Sequence, residues 1–209
     1  MNPDAARRFT PWLLVVSGVL LEICYLSFYA ARSGPGEVIH FIAVNVAAFL
    51  IVSIMLFFIR RSAAPLPRAW LLPVLLFGLL FRLTLIPHGI VGSDDIYRYL
   101  WDGDVAAAGI NPFAYTPTDP HLAHIATDDL PSKVNHPELR SVYPALAQFL
   151  FLASHAMFGD QVWGMKLLIV LMDALTMIFI WLFVRGRPDP LSLASADPAT
   201  MSENGRPRR

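Results

Sequence analysis

A single cysteine, Cys24, is all the chain has, and it lies inside an apolar run, so no intrachain disulfide can brace the fold. Charge is also scarce. Charged residues make up 15% of the 209 positions, against roughly 25% in a soluble domain. The 16 basic and 16 acidic residues cancel, which removes the electrostatic footprint expected of a nucleic-acid binder. There is no glycine-rich phosphate loop of the Walker or Rossmann type and no internal repeat, so a nucleotide-binding α/β domain and a solenoid are both excluded.

What the chain has instead is apolar surface: 56% hydrophobic residues and a mean hydropathy of +0.52. Four runs reach the length of about 20 residues needed to cross a hydrocarbon core: 12–31, 38–59, 69–86 and 163–184. The first follows Arg7, Arg8 and Pro11 like a signal peptide, but its length and its Tyr29-Ala30-Ala31-Arg32 ending identify a retained anchor. A fifth stretch, 144–158, is shorter and reads as a short or tilted span or a re-entrant segment. The expected architecture is therefore all-α, a polytopic transmembrane bundle of four or five spans with a long, partly helical extracytoplasmic loop. It divides into three N-terminal spans (1–86), the loop (87–143), a hairpin or short span plus a final span (144–184), and a disordered polar tail (185–209).

Basic residues set the expected orientation. Arg7, Arg8, Arg60, Arg61 and Arg68 fall on one side and Arg32 alone on the other, which puts the N-terminus in the cytoplasm and residues 87–143 outside the inner membrane. The side of the tail depends on whether 144–158 crosses.

A loop of this length is either functional or disordered, and Trp101, Phe113 and several tyrosines argue against disorder. Ser93 suits a cap for a helix opening at Asp94 and Asp95, where carboxylates favour the positive end of the dipole; Gly109 closes it. On that helix Asp95, Arg98, Tyr99 and Asp102 share one face. Ile96, Leu100 and Tyr97 turn elsewhere, as in an amphipathic helix lying on a membrane surface. The plain alternative is a solvated face with Asp95–Arg98 and Arg98–Asp102 pairs. His121, His124 and His136 lie near Asp119, Asp128 and Asp129, but their spacing matches no closed zinc pattern. No metal ligands are assigned, and a divalent-metal requirement stays open.

The ordered motifs "SDDIYRYLWDG" (93–103), "GINPFAY" (109–115) and "VYPALAQFLF" (142–151), with "FGDQVWGMKLLIVLMDAL" behind them, resemble the bacterial polyprenyl-phosphate-sugar-dependent glycosyltransferases of the GT-C superfamily, in particular its mannosyltransferase-like branch. The likeness covers roughly residues 82–175. It implies a multi-pass enzyme that moves a hexose, mannose in that branch, from a polyprenyl-phosphate donor to a glycan, lipid or protein hydroxyl. An aspartate in the first large outward loop serves as base. Relatives carry D-E-x-R-Y at this point, which aligns with Asp95 and makes it the first choice, with Asp94 the second. The resemblance also nominates Arg98, Tyr99, Asp102, His136, Arg140 and Tyr143 for substrate contacts.

Within the spans, Glu22, Arg82 and Asp173 are costly charges. Arg82 either reaches the donor phosphate, snorkels, or is neutralised by Glu22 or Asp173. Relatives of this type continue for further spans. The expectation is therefore an enzyme or its N-terminal part, completed by a second chain, with a non-catalytic membrane scaffold as the alternative.

Overall fold

Local sequence accounts for where the helices start and stop. The computed structural model describes residues 3–30, 36–61, 70–127 and 130–186, and every regular element among them is helical. Asp128, Asp129, Arg32, Arg68 and the tail from 187 onward lie outside the described residues. The α-helices are α1 (Pro3–Leu26), α2 (Gly36–Arg61), α3 (Leu71–Leu85), α4 (Asp95–Ala107), α5 (Ala145–Phe158) and α6 (Val162–Arg185). They form two compact units, Met1–Thr84 with Asp173–Arg209, and Leu85–Met172.

In the first unit, α1 contains Pro11, which lacks the N–H for a bond one turn back. The apolar stretch begins there and runs to Ala30 through a 3₁₀ turn, Ser27–Ala30. That turn is tied down on both sides. The Ser27 hydroxyl donates to the Cys24 carbonyl at 2.6 Å and meets His40 of α2 at 3.1 Å, while buried Phe28 packs edge-on against the His40 ring. Helix α2 carries Glu37 in its first turn and Arg60 and Arg61 in its last, the arrangement its dipole favours. Between them it is mostly apolar, with Val38, Phe49 and Phe57 exposed, as expected of a helix that turns much of its surface to lipid. Gly18 allows α1 to approach α3: a Cβ there would stand 2.7 Å from the Phe77 ring.

Among the described residues, three helices are long and apolar enough to cross a membrane: Pro11–Ala30, Gly36–Arg61 and Val162–Arg185. The expected span 69–86 is a helix of 15 residues, Leu71–Leu85, about 22 Å at 1.5 Å per residue and short of the roughly 30 Å hydrocarbon thickness. At 14 residues, α5 is shorter still. Of the charges foreseen inside the spans, Arg82 and Asp173 pair, with Nε 2.6 Å from Oδ2, whereas Glu22 accepts from the neutral Thr84 hydroxyl on one oxygen and keeps the other buried without a hydrogen bond.

The second unit holds the loop, and it is a folded body with its own core. Ile96, Leu100, Trp101 and Val105 of α4 pack with Leu122, Leu130 and Val134 from the intervening segment, Phe151 of α5 and Met165 of α6. The sequence reading laid the apolar side of α4 along the membrane surface. Here that side is core, because the Pro- and His-rich stretch after Gly109 folds back over it. Gly103 lets α4 and α5 touch: a Cβ at that position would be 2.7 Å from the Phe151 carbonyl oxygen.

Candidate functional site

The start of α4 places the two expected catalytic carboxylates. Gly92 takes a positive φ of 83°, reversing the chain, and the Ser93 hydroxyl then accepts the Asp95 backbone N–H at 3.3 Å. Asp94 occupies the cap position itself, with its side chain exposed and accepting from Asn135 at 3.2 Å. Asp95, the first residue of the helix, is half-buried. Its carboxylate lies within electrostatic reach of Tyr143.

One turn further on, the helix is locked. Arg98 is 6% exposed and Asp102 2%. Arg98 Nε donates to Asp102 Oδ1 at 3.0 Å, and its other arm donates to the Leu139 carbonyl at 2.9 Å. The second oxygen of Asp102 accepts from the Ser141 hydroxyl and from the Gln148 amide at 3.0 Å. Each charge is thus compensated within a ring that joins α4, the 139–141 strand of chain and α5. This satisfies the rule that a buried charge must be paired and hydrogen-bonded. Arg98 holds Asp102, one turn toward the C-terminus, and none of the described ion pairs joins it to Asp95.

Beside this lock lies an aromatic cluster. Tyr99 stacks on Phe151 with ring centroids 4.7 Å apart, and Tyr143 meets Tyr99 edge-on at 4.9 Å. Burial pushes the Tyr143 phenol well above its ordinary range, and the neighbouring Tyr99 and the Asp95 carboxylate push the same way. Tyr143 therefore stays protonated.

The remaining nominated residues sit apart. His136 and Arg140 are exposed; His136 adopts a positive φ of 51° and contacts Glu138 at 3.3 Å. Arg82 belongs to the other unit, where Asp173 and the Gly78 carbonyl occupy it. His121 is held by Asp119, whose carboxyl is lowered chiefly by the backbone N–H of His121.

Two features escaped the sequence reading. The first is a cavity of about 450 Å³ whose walls include His88, Tyr97, Lys133, Asp160, Gln161 and Trp163; none of the catalytic or substrate-contact residues expected from the sequence lines it. The second is a cluster of Asp104, His155 and Asp160. His155 Nδ1 lies 2.6 Å from Asp104 Oδ1 and 3.2 Å from Asp160 Oδ1. Burial and the neighbouring Asp160 raise the Asp104 carboxyl to about 8. The D-G-D run after Trp101 was the available signal, but its partners are some fifty residues away, and His155 sits in an apolar helix that gave no reason to single it out.

No family model matches the chain, and no curated protein or solved structure matches it either.

Proposed function

We propose that the chain is a membrane glycosyltransferase of the GT-C type, or part of one, that moves a hexose, mannose by its motifs, from a polyprenyl-phosphate donor to an acceptor hydroxyl. The observation that carries this reading is the position of Asp95: a half-buried carboxylate at the first turn of α4, within electrostatic reach of Tyr143, on a helix fixed by the buried Arg98–Asp102 ring. Rigid support of this kind is what a reacting group needs, since misplacement costs more than basicity supplies.

In this mechanism the acceptor oxygen attacks the anomeric carbon as the bond from that carbon to the phosphate oxygen breaks. The electron pair leaves with the polyprenyl phosphate, and Asp95 takes the hydroxyl proton. General-base assistance of this sort is worth roughly 10²- to 10⁴-fold. Tyr99 and Tyr143 face the sugar or the acceptor, and Asp94 assists from the exposed side. Arg98 and Asp102 act by holding the helix. The donor's lipid chain lies in the cytoplasmic membrane, crossed by four or five spans, with the N-terminus in the cytoplasm and the loop unit outside, as the basic residues near the span ends favour.

The test is transfer of radiolabelled mannose from polyprenyl-phosphate mannose by the full chain in native membranes. Asp95→Asn is expected to lower turnover by roughly 10²-fold or more, and Asp94→Asn by far less. Undiminished transfer by Asp95→Asn would remove the proposal.

A further inference from the structure

The cluster at the far end of α4 is the least explained polar feature of the second unit. Asp104 is almost fully enclosed, its side chain 7% exposed, and neither of its carboxylate oxygens has a hydrogen-bond partner. His155 Nδ1 comes within 2.6 Å of one of them but is out of line for a hydrogen bond. Buried carboxylates are ordinarily satisfied by two or more donors, as Asp102 is two residues earlier. At Asp104 the neighbours are instead a second carboxylate and an imidazole nitrogen, groups that offer lone pairs.

We infer that Asp104, His155 and Asp160 form a binding site for one divalent metal ion of the Zn²⁺ class. The three ligand atoms lie within 4.8 Å of one another. With Zn–N and Zn–O bonds of roughly 2.0 to 2.2 Å, neighbouring ligands of a four-coordinate ion stand about 3.4 Å apart, so the set closes on an ion through shifts of an ångström or so. One nitrogen and two carboxylate oxygens suit a borderline ion. Mg²⁺ and Ca²⁺ prefer oxygen alone, and no thiolate is present to select a softer metal.

Three protein ligands also leave a coordination position open, the pattern of sites whose metal meets water or a substrate. Asp160, 30% exposed, is a ligand of this set and also a wall of the 450 Å³ cavity, which gives the ion its way in. Construction of the site follows from the chain. Gly103 allows α5 close enough for His155 to face Asp104, and Gly159, at a positive φ of 60°, turns the chain out of α5 so that Asp160 follows at once. The inference is independent of the glycosyl-transfer reading, since it uses none of the residues assigned to that chemistry.

The experiment is a calorimetric titration of Zn²⁺ into the purified, chelator-stripped full chain in mild detergent, with Mg²⁺ in excess and with Co²⁺ absorption as a second reading of the ligand sphere. One Zn²⁺ per chain is expected. His155→Gln and Asp160→Asn, at the partly exposed ligands, should each weaken it by at least 10- to 100-fold, the loss that even outer-shell changes produce. Their near-ultraviolet circular dichroism should match that of the unsubstituted chain. No stoichiometric Zn²⁺ binding, or undiminished binding by both variants, would overturn the inference and leave a proton shared by two carboxyls. Transfer activity that survives loss of the ion leaves it standing.

Discussion

Replacing Asp102 by alanine probes the ring that fixes α4. The change removes the acceptor of three donors at once: Arg98 Nε at 3.0 Å, the Ser141 hydroxyl, and the Gln148 amide at 3.0 Å. Arg98, 6% exposed, keeps only the Leu139 carbonyl among its described partners, a neutral acceptor for a full charge. An ion pair on the surface contributes roughly 0 to 1 kcal/mol, but breaking a buried one by deleting a single partner costs about 3 to 5 kcal/mol, because the other charge stays behind. The upper range is expected here, since Asp102 and Arg98 are both enclosed. The assay is unfolding of the full chain in mixed micelles of rising denaturing-detergent content, followed by tryptophan fluorescence, to which Trp101, 1% exposed and adjacent to Asp102, contributes. Asp102→Ala should move the midpoint by that free energy. The Arg98→Met, Asp102→Leu double variant should recover part of it, because no charge is then left buried. A loss below about 1 kcal/mol, or a double variant as unstable as the sum of the singles, would refute the claim that the ring is what holds α4.

Further outcomes concern packing and pH. Gly103→Ala sets a Cβ 2.7 Å from the Phe151 carbonyl oxygen, a backbone atom that cannot rotate away, so the same assay should show a loss of about 1 to 3 kcal/mol. Alanine at Gly89, where nothing stands within 4 Å, should be nearly neutral. In the presence of chelator, stability should fall as pH rises from about 4 to about 8. The folded chain retains a proton on Asp104 that the unfolded chain releases near 3.8, so stability is greatest below that value and is lost up to the folded value of about 8. Asp104→Asn should flatten this slope, and an unchanged slope would show that the proton sits elsewhere.

Elements specified by neighbouring residues were readable in the sequence. Helix α4 opens and closes within two residues of where Ser93 and Gly109 put its ends, and Gly109 takes the positive φ, 75°, that its position demanded. The long apolar helices followed from composition. Within the run 69–86 the helix Leu71–Leu85 ends just before Ile86-Pro87, where a residue preceding proline is biased out of the helical region. The shared face of Asp95, Arg98, Tyr99 and Asp102 was legible too, but its fate was not. Ser141, Gln148 and Leu139, which bury its second half, lie about 40 positions away, and no local period announces them. In the same way Leu122, Leu130 and Val134 are too scattered to betray that they cap the apolar side of α4.

Lys166 carries a consequence for how this chain can be handled. Its ammonium binds the carbonyls of Leu85, His88 and Gly89 at 3.1, 2.8 and 2.6 Å, so the stretch where the second unit departs and the helix where it returns are clasped by one side chain across 81 positions. A body whose two ends meet behaves like a bead on a ring, and such modules tolerate being cut out, transplanted or permuted. The whole excursion could be lifted from between its two attachment points as a cassette, leaving a short splice where Lys166 now fastens the chain.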